Sequence, residues 1–299
     1  MKPFLLRFHR WISILFALPL SVVILTGLIL SAQPMMQSLA IVPGSIDAPR
    51  LMALLDKHDP QAQARGIALD PAANRLRLVG GPGGEIDLAS GEKAQAPAPL
   101  AALFGWARRT HERLIFDLRW LVTSSTIAML TIIALGVLMG LPMLRNTVSG
   151  WHRCMAWFTL PLVIISPLTG LALAFGITLQ DAPARGSAPP APSVPLKQAV
   201  EIVGRTHDLS RLNSLMTRGG RLMARIDEDG ELRAYAVTAQ GTTALPRNWP
   251  RLIHEGNWSS VLASVLNLVV SFVFMGLLST GLIIWWRRTF KRRKKRIRA

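Results

Sequence analysis

Four stretches of this chain carry no charged residue for longer than the roughly 20 residues a helix needs to cross the hydrocarbon core of a bilayer. They run from Trp11 past Ala32, from Trp120 to Leu144, from Cys154 to Leu179 and from Gly256 to Trp286. Together with a composition that is 50% hydrophobic, they describe a polytopic membrane protein. Lys2, Arg7 and Arg10 ahead of the first stretch, and Leu30-Ser31-Ala32 within it, also have the outline of a signal peptide. The apolar run exceeds the usual signal-peptide length of about 7 to 15 residues. The third stretch repeats it far from either terminus, so the first is read as a retained helix.

Charge sets the expected orientation. Residues 34–118 hold 9 acidic and 9 basic residues, and residues 180–258 hold 8 and 10, which accounts for all 17 acidic residues of the chain. The remaining 15 of the 34 Lys and Arg lie at the N-terminus, around the short connection at 145–153, at Arg119 and in the tail after Trp286. The positive-inside bias then predicts cytoplasmic termini and a cytoplasmic short connection, with both long loops in the periplasm of a bacterial cell. A short juxtamembrane basic tail without interleaved aromatics fits anionic lipid better than nucleic acid. The single cysteine, Cys154, excludes a disulfide framework, a CxxC metal motif and a CxxCH covalent haem site.

The chain is also a tandem duplication. His9 and His152 are 143 positions apart, as are His111 and His254; His9 to His111 and His152 to His254 are each 102. At the 143 offset His9-Arg10 falls on His152-Arg153, Leu25-Thr26-Gly27-Leu28 on Leu168-Thr169-Gly170-Leu171, Arg108 on Arg251 and His111-Glu112 on His254-Glu255. His58 and His207, the other two histidines, do not obey the offset. Copies with an even number of spans insert in the same sense, so they should be related by a pseudo-two-fold axis along the membrane normal. His9 and His152 then share one height and His111 and His254 another. The 17 residues from His9 to Thr26 rise about 26 Å as a straight helix, nearly the thickness of the bilayer core. That places the first pair at the cytoplasmic end and the second at the periplasmic end.

A symmetric pair of imidazoles suits a flat cofactor coordinated from both faces, and neutral histidine is a common axial ligand of haem iron. Two pairs would stack one haem near each membrane face. Arginines lie beside both: Arg7, Arg10 and Arg153 inside, and Arg108, Arg109, Arg113 and Arg251 outside. Of these, Arg10, Arg153, Arg108 and Arg251 are the candidates for haem propionates, though each can equally snorkel at the interface. Two other readings of the histidines stay open at this level. One is a non-haem metal held by His111-Glu112 and His254-Glu255; the other is a purely structural role. Adjacent helical residues diverge by about 100°, so Glu112 and Glu255 are expected to point away from the histidines.

The two long loops have the length of small folded units. In the second, Pro183, Pro189, Pro190, Pro192 and Pro195 form a linker, residues 196–207 have helical spacing, and residues 221–226 and 232–237 alternate around Asp227-Glu228-Asp229-Gly230 as a hairpin. In the first, residues 51–57 read as helix, 75–79 and 86–89 as strands, and 80–84 as the turn between them. Neither loop offers a catalytic triad, a clustered metal site or a nucleotide fingerprint.

Arg7-Phe8-His9-Arg10-Trp11 leading to Leu25-Thr26-Gly27-Leu28, Gly150-Trp151-His152-Arg153 leading to Leu168-Thr169-Gly170-Leu171, and Ile253-His254-Glu255-Gly256 before the last helix resemble the PepSY-associated transmembrane family. The resemblance covers nearly the whole chain and makes the outer loops PepSY-like. It implies an inner-membrane ferric-siderophore reductase with two non-covalent b-type haems, His9, His111, His152 and His254 being their axial ligands. Some family relatives carry a cytoplasmic flavin reductase domain, where this chain has a basic tail. The electron donor is then a quinol, a flavin or a partner protein.

The expected architecture is an all-α integral membrane protein with four transmembrane helices arranged as a tandem two-helix repeat, and two separate small α+β PepSY-like periplasmic insertions. The expected segments are helix 1 at 1–33, loop 1 at 34–118, helix 2 at 119–145, a connection at 146–152, helix 3 at 153–179, loop 2 at 180–258, helix 4 at 259–287 and a basic tail at 288–299. The expected activity is outward electron transfer to chelated ferric iron, which needs no protein nucleophile. The alternatives are a non-enzymatic PepSY protein that binds or regulates a periplasmic partner, and a metal-transport accessory subunit. A transporter is expected to bury ionisable groups at mid-membrane, and none lies inside these four stretches.

Overall fold

The computed structural model describes residues 2–142, 145–180 and 194–297, with side chains described to residue 290. The two copies share an order of helices. The first begins with α1 (Lys2–Leu15) and α2 (Ala17–Ala40), the second with α6 (Val148–Phe158) and α7 (Leu160–Ala174). The helix is interrupted at Phe16 in one copy and Thr159 in the other, which are 143 positions apart. Proline accounts for both breaks. Pro19 and Pro161 have no amide hydrogen to give the carbonyls of Leu15 and Trp157, so the ladder loses a bond at the junction. The uncharged stretch that begins at Cys154 is therefore a helix pair bent by 68°.

Among the described residues, three helices are long and apolar enough to cross a membrane: α2, α5 (Arg119–Leu138) and the first part of α10 (Val261–Ile297), with the bent pair α6 and α7 as a fourth only if it forms one span. Their outward faces are bare hydrocarbon. Leu18, Leu138, Phe158 and Leu262 are each more than 60% exposed, as expected of side chains that meet lipid. Hydroxyls inside these helices are satisfied by the preceding turn, Ser21 donating to Ala17 O, Ser125 to Leu121 O and Thr131 to Ile127 O. A small cluster of Val163, Val270 and Phe274 holds α7 against α10, flanked by Ile24, Met129 and Ile133.

The extramembrane part departs from the expected architecture. The two loops do not make two separate modules, and the molecule is not all-α. They build one antiparallel sheet of seven strands in the order β3-β2-β1-β4-β5-β6-β7. The first loop supplies β1 (Gly66–Asp70), β2 (Arg75–Val79) and β3 (Glu85–Asp87); the second supplies β4 (Leu212–Arg218), β5 (Arg221–Glu228), β6 (Glu231–Thr238) and β7 (Gly241–Ala244). The seam is the pairing of β1 with β4, Gly66 opposite Met216 and Ala68 opposite Ser214. A Cβ at Gly66 would stand 2.4 Å from Leu215 O, so this close approach requires glycine. The physical reason for the merger is edge satisfaction. Two small sheets would each leave unpaired backbone along β1 and β4, and pairing them removes both edges.

One face of the joint sheet is covered by α3 (Ala48–His58) and α8 (Leu196–Gly204), one from each copy. Leu51, Leu55, Ile67, Leu76, Leu215 and Val203 are fully or almost fully buried between them. Alternation puts Leu222, Ala224 and Ile226 of β5 on this face, leaving Met223, Arg225 and Asp227 on the other. The sheet is fastened to the helices at its second-copy half. Leu232 N–H donates to Asn257 O at 3.2 Å, and Glu231 bridges to Trp258 in the turn before α10. Asp208 also accepts the Gly44 N–H at 2.9 Å, tying the two copies together.

The helix at 51–57, the strand at 75–79 and the hairpin around Asp227 stand where the sequence places them. The helix expected at 196–207 closes at Gly204, and the strand expected at 86–89 is instead residues 85–87. The proline linker falls outside the described residues apart from Pro195, which precedes α8. The basic tail continues α10 as helix to Ile297.

Candidate functional site

The second histidine of each copy sits on a short helix of its own, ahead of the following span. His111 is in the last turn of α4 (Pro99–Arg113) and His254 in the last turn of α9 (Trp249–Glu255), whose start is capped by the Asn248 side chain accepting the Arg251 N–H. Both helices turn their histidine inward onto the Thr-Gly pair of the same copy. His111 Nδ1 lies 3.0 Å from Val23 O and 3.2 Å from Thr26 Oγ1. His254 Nδ1 lies 3.0 Å from Ser166 O and 3.3 Å from Thr169 Oγ1. Every one of these partners obeys the 143 offset.

The hydroxyls decide the tautomer. Thr26 donates its own hydrogen to Val22 O at 2.7 Å and Thr169 to Ile165 O at 2.8 Å, so toward the ring each can only accept. A carbonyl likewise only accepts. Nδ1 therefore carries the proton in both histidines and Nε2 keeps its lone pair, the form that binds a metal ion. Gly27 and Gly170 make room for the rings. A Cβ would stand 3.1 Å from His111 Cε1 at the first and 2.8 Å from His254 Cε1 at the second.

The two rings face one another across the copies, with centroids 6.1 Å apart and planes inclined at 44°. Two imidazoles bound on opposite sides of one metal, with metal–nitrogen bonds of about 2 Å, have centroids about 6.3 Å apart. The pair thus has the spacing that a shared iron atom between its Nε2 atoms requires, and the residues present fit a haem at this height.

The first histidines of the copies are held differently. His152, on α6, places Nδ1 2.8 Å from Thr280 Oγ1 of α10. Thr280 gives its hydrogen to Gly276 O at 2.6 Å, so here too the ring donates and Nε2 stays free. The residue equivalent to Thr280 in the first copy is Val137, which offers His9 nothing. His9 is half-buried in α1, and its carbonyl accepts from Ser13 at 2.7 Å. Among the described residues, the rings of His9 and His152 make no contact like that of His111 and His254. Asn267 of α10 donates to His254 O at 3.3 Å, and the 13 residues from there to Thr280 span about 20 Å of helix. In the second copy the two histidines are thus about 20 Å apart along α10, less than the 26 Å rise of a straight helix from His9 to Thr26.

Between the upper storey and the sheet lies a set of arginines around one carboxylate. Glu255, only 18% exposed, takes Arg251 at 3.3 Å and Arg108 at 3.9 Å, and Arg108 also donates to Gln33 at 3.1 Å. Arg225 of β5 joins them from the sheet. Burial pulls its pKa below the usual value, the Glu255 carboxylate opposes this, and the guanidiniums of Arg251, Arg218 and Arg108 add to it.

The chain matches the family model described as the PepSY-associated TM region over residues 6–288. It belongs to that family. No curated protein matches it. Family membership and the apolar helices make it a membrane protein associated with PepSY modules, in contact with lipid through α2, α5 and α10.

Set against the expected site, the structure brings His111 and His254 together and places Arg108 and Arg251 one turn above them. Glu255 points away from the histidine and onto those arginines, while Glu112 is exposed. Among the described residues no three His, Cys, Asp or Glu side chains converge as a metal-ion site, so the mixed set with Glu112 and Glu255 is not assembled. Arg10 lies over the Trp11 ring at 5.9 Å, and Arg153 is exposed. Sequence reasoning missed the contact between the Thr-Gly pairs and the later histidines, although both motifs recur at one offset. It also missed Arg225, whose trace is a charge in the middle of an alternating strand.

Proposed function

We propose that this protein holds two non-covalent b-type haems, one on His111 and His254 and one on His9 and His152, and passes electrons across the bacterial inner membrane to ferric iron carried by a chelate such as a siderophore. The termini are cytoplasmic in this reading and the sheet periplasmic. Each ferric ion takes one electron and becomes ferrous, and the electron comes from a quinol, a flavin or a partner protein on the cytoplasmic side.

One observation carries the reading: two histidines from different copies, each with Nδ1–H pinned to a backbone carbonyl, stand 6.1 Å apart with both Nε2 atoms unengaged. Haem, when bound, supplies a one-electron carrier. The chain's own residues fix the ring orientation through Val23, Ser166, Thr26 and Thr169, and Gly27 and Gly170 admit the imidazoles. Arg10 and Arg153, each next in sequence to a far histidine, would meet the carboxylates of the haem held there. Reduction of a chelate weakens its hold on iron without a nucleophile or a general acid.

The test is a reduced-minus-oxidised absorption spectrum of the purified full chain, with haem quantified. Two haems per chain are expected after expression with ample haem. His111→Ala or His254→Ala should each remove one, and His9→Ala or His152→Ala the other. A chain without haem would overturn the electron-transfer reading and leave the binding or regulatory one.

A further inference from the structure

Arg108 and Arg251 each precede their histidine by three residues, so both stand one helical turn, about 5 Å of rise, above the facing rings. Arg225 of the sheet lies within electrostatic reach of Arg108, Arg251 and Glu255. Its register partners are Ser214 on β4 and Ala234 on β6, both too small to cover it, and it lies on the face opposite the α3 and α8 core. Two guanidiniums share one carboxylate, and a third acts on the same group from the sheet.

Glu255 is already engaged by Arg251 and Arg108. Arg225 is half-buried, and among the described residues it has no hydrogen bond and no ion pair. Two positive charges are left over among partly buried side chains, an arrangement that is costly unless an anion completes it. The group can be reached from solvent, since the side chains of Arg108 and Arg251 are 46% and 38% exposed. Guanidinium forks match carboxylate oxygens two at a time. Arg218, exposed at the end of β4, adds to the positive field that draws an anion in.

We propose that Arg108, Arg225 and Arg251 form the docking site for an anionic, carboxylate-bearing iron chelate, holding it between the sheet and the His111–His254 pair. This rests on the reading that a ferric chelate is the electron acceptor, and it narrows that substrate to a class: chelates with free carboxylates bind, while neutral hydroxamate chelates gain nothing from these residues.

The experiment uses the full chain in lipid nanodiscs and gallium citrate, a redox-inert analogue of the ferric complex, titrated by calorimetry. Wild type should bind it, more weakly as salt rises, and Arg225→Gln should weaken binding about tenfold while the haem content stays at the wild-type level. Arg225→Lys, which keeps the charge and loses the fork, should fall between them. If Arg225→Gln does not fold, Arg108→Gln at a more exposed position should show the same loss. Unchanged binding in these variants, or no binding to wild type, overturns the proposal. Loss of haem in Arg225→Gln also overturns it, because the guanidinium would then be holding a haem propionate. Since gallium citrate binding is read without electron transfer, a wild-type chain that lacks haem would sink the function proposed above and leave this site to be judged by its own titration.

Discussion

The two histidine pairs come from one duplication, yet the structure treats them unequally. His111 and His254 have matching surroundings atom for atom: a backbone carbonyl at 3.0 Å in each copy, a threonine and a glycine. His9 and His152 have only the helix position in common, because Thr280 supports His152 where Val137 faces the other copy. The sheet-side pair is therefore held alike in both copies, whereas at the far level the support found is on His152 alone, from Thr280 with the Leu277 carbonyl beside it.

The largest difference should appear with glycine substitutions. Gly170→Ala puts a methyl 2.8 Å from His254 Cε1, and the ring cannot retreat without breaking its bond to Ser166 O. Overpacking of this kind costs about 1–3 kcal/mol, and the sheet-side haem should be lost. Gly281→Ala, at 3.7 Å from His152 Cε1, makes an ordinary contact and should leave haem content at wild type. Equal haem loss in the two variants would break the comparison.

Gly27→Ala should come next, with partial loss, since its methyl would lie 3.1 Å from His111 Cε1. Residual haem clearly above that of Gly170→Ala checks the ranking. Thr280→Val should then loosen the far haem, by about tenfold at most because the Leu277 carbonyl stays beside His152. The measurement is haem dissociation followed by transfer to an acceptor globin, and an unchanged rate would show that Thr280 does not orient His152. The smallest effect is expected for Thr26→Val, because Val23 O still accepts from Nδ1; haem affinity should change by less than about threefold.

Much of this was legible in the residues. The 143 offset carried the matching helix order and the Thr-Gly and His-Glu motifs of each copy. The broken helices were also foreshadowed, by Pro19 and Pro161, but the absence of charge over each stretch masks a break that costs no charge to make. The single sheet left no such trace. Gly66 and Met216 pair across 150 positions, and the alternation of either strand is equally good for an isolated hairpin. Arg225 stayed hidden for a related reason, since a strand's polar side is taken for a solvent side unless the partner beneath it is known.

The sequence by itself determined that this chain enters a membrane, that it is built twice over, and which histidines are equivalent. Those properties follow from local apolarity and from a repeat, both written along the chain. Only the tertiary structure decided that the two insertions share one sheet, that the Thr-Gly motifs hold the later histidines, and that Arg225 stands on the sheet face opposite the α3 and α8 core. Each depends on backbone edges and side-chain directions meeting across copies, and those meetings are set by packing in three dimensions.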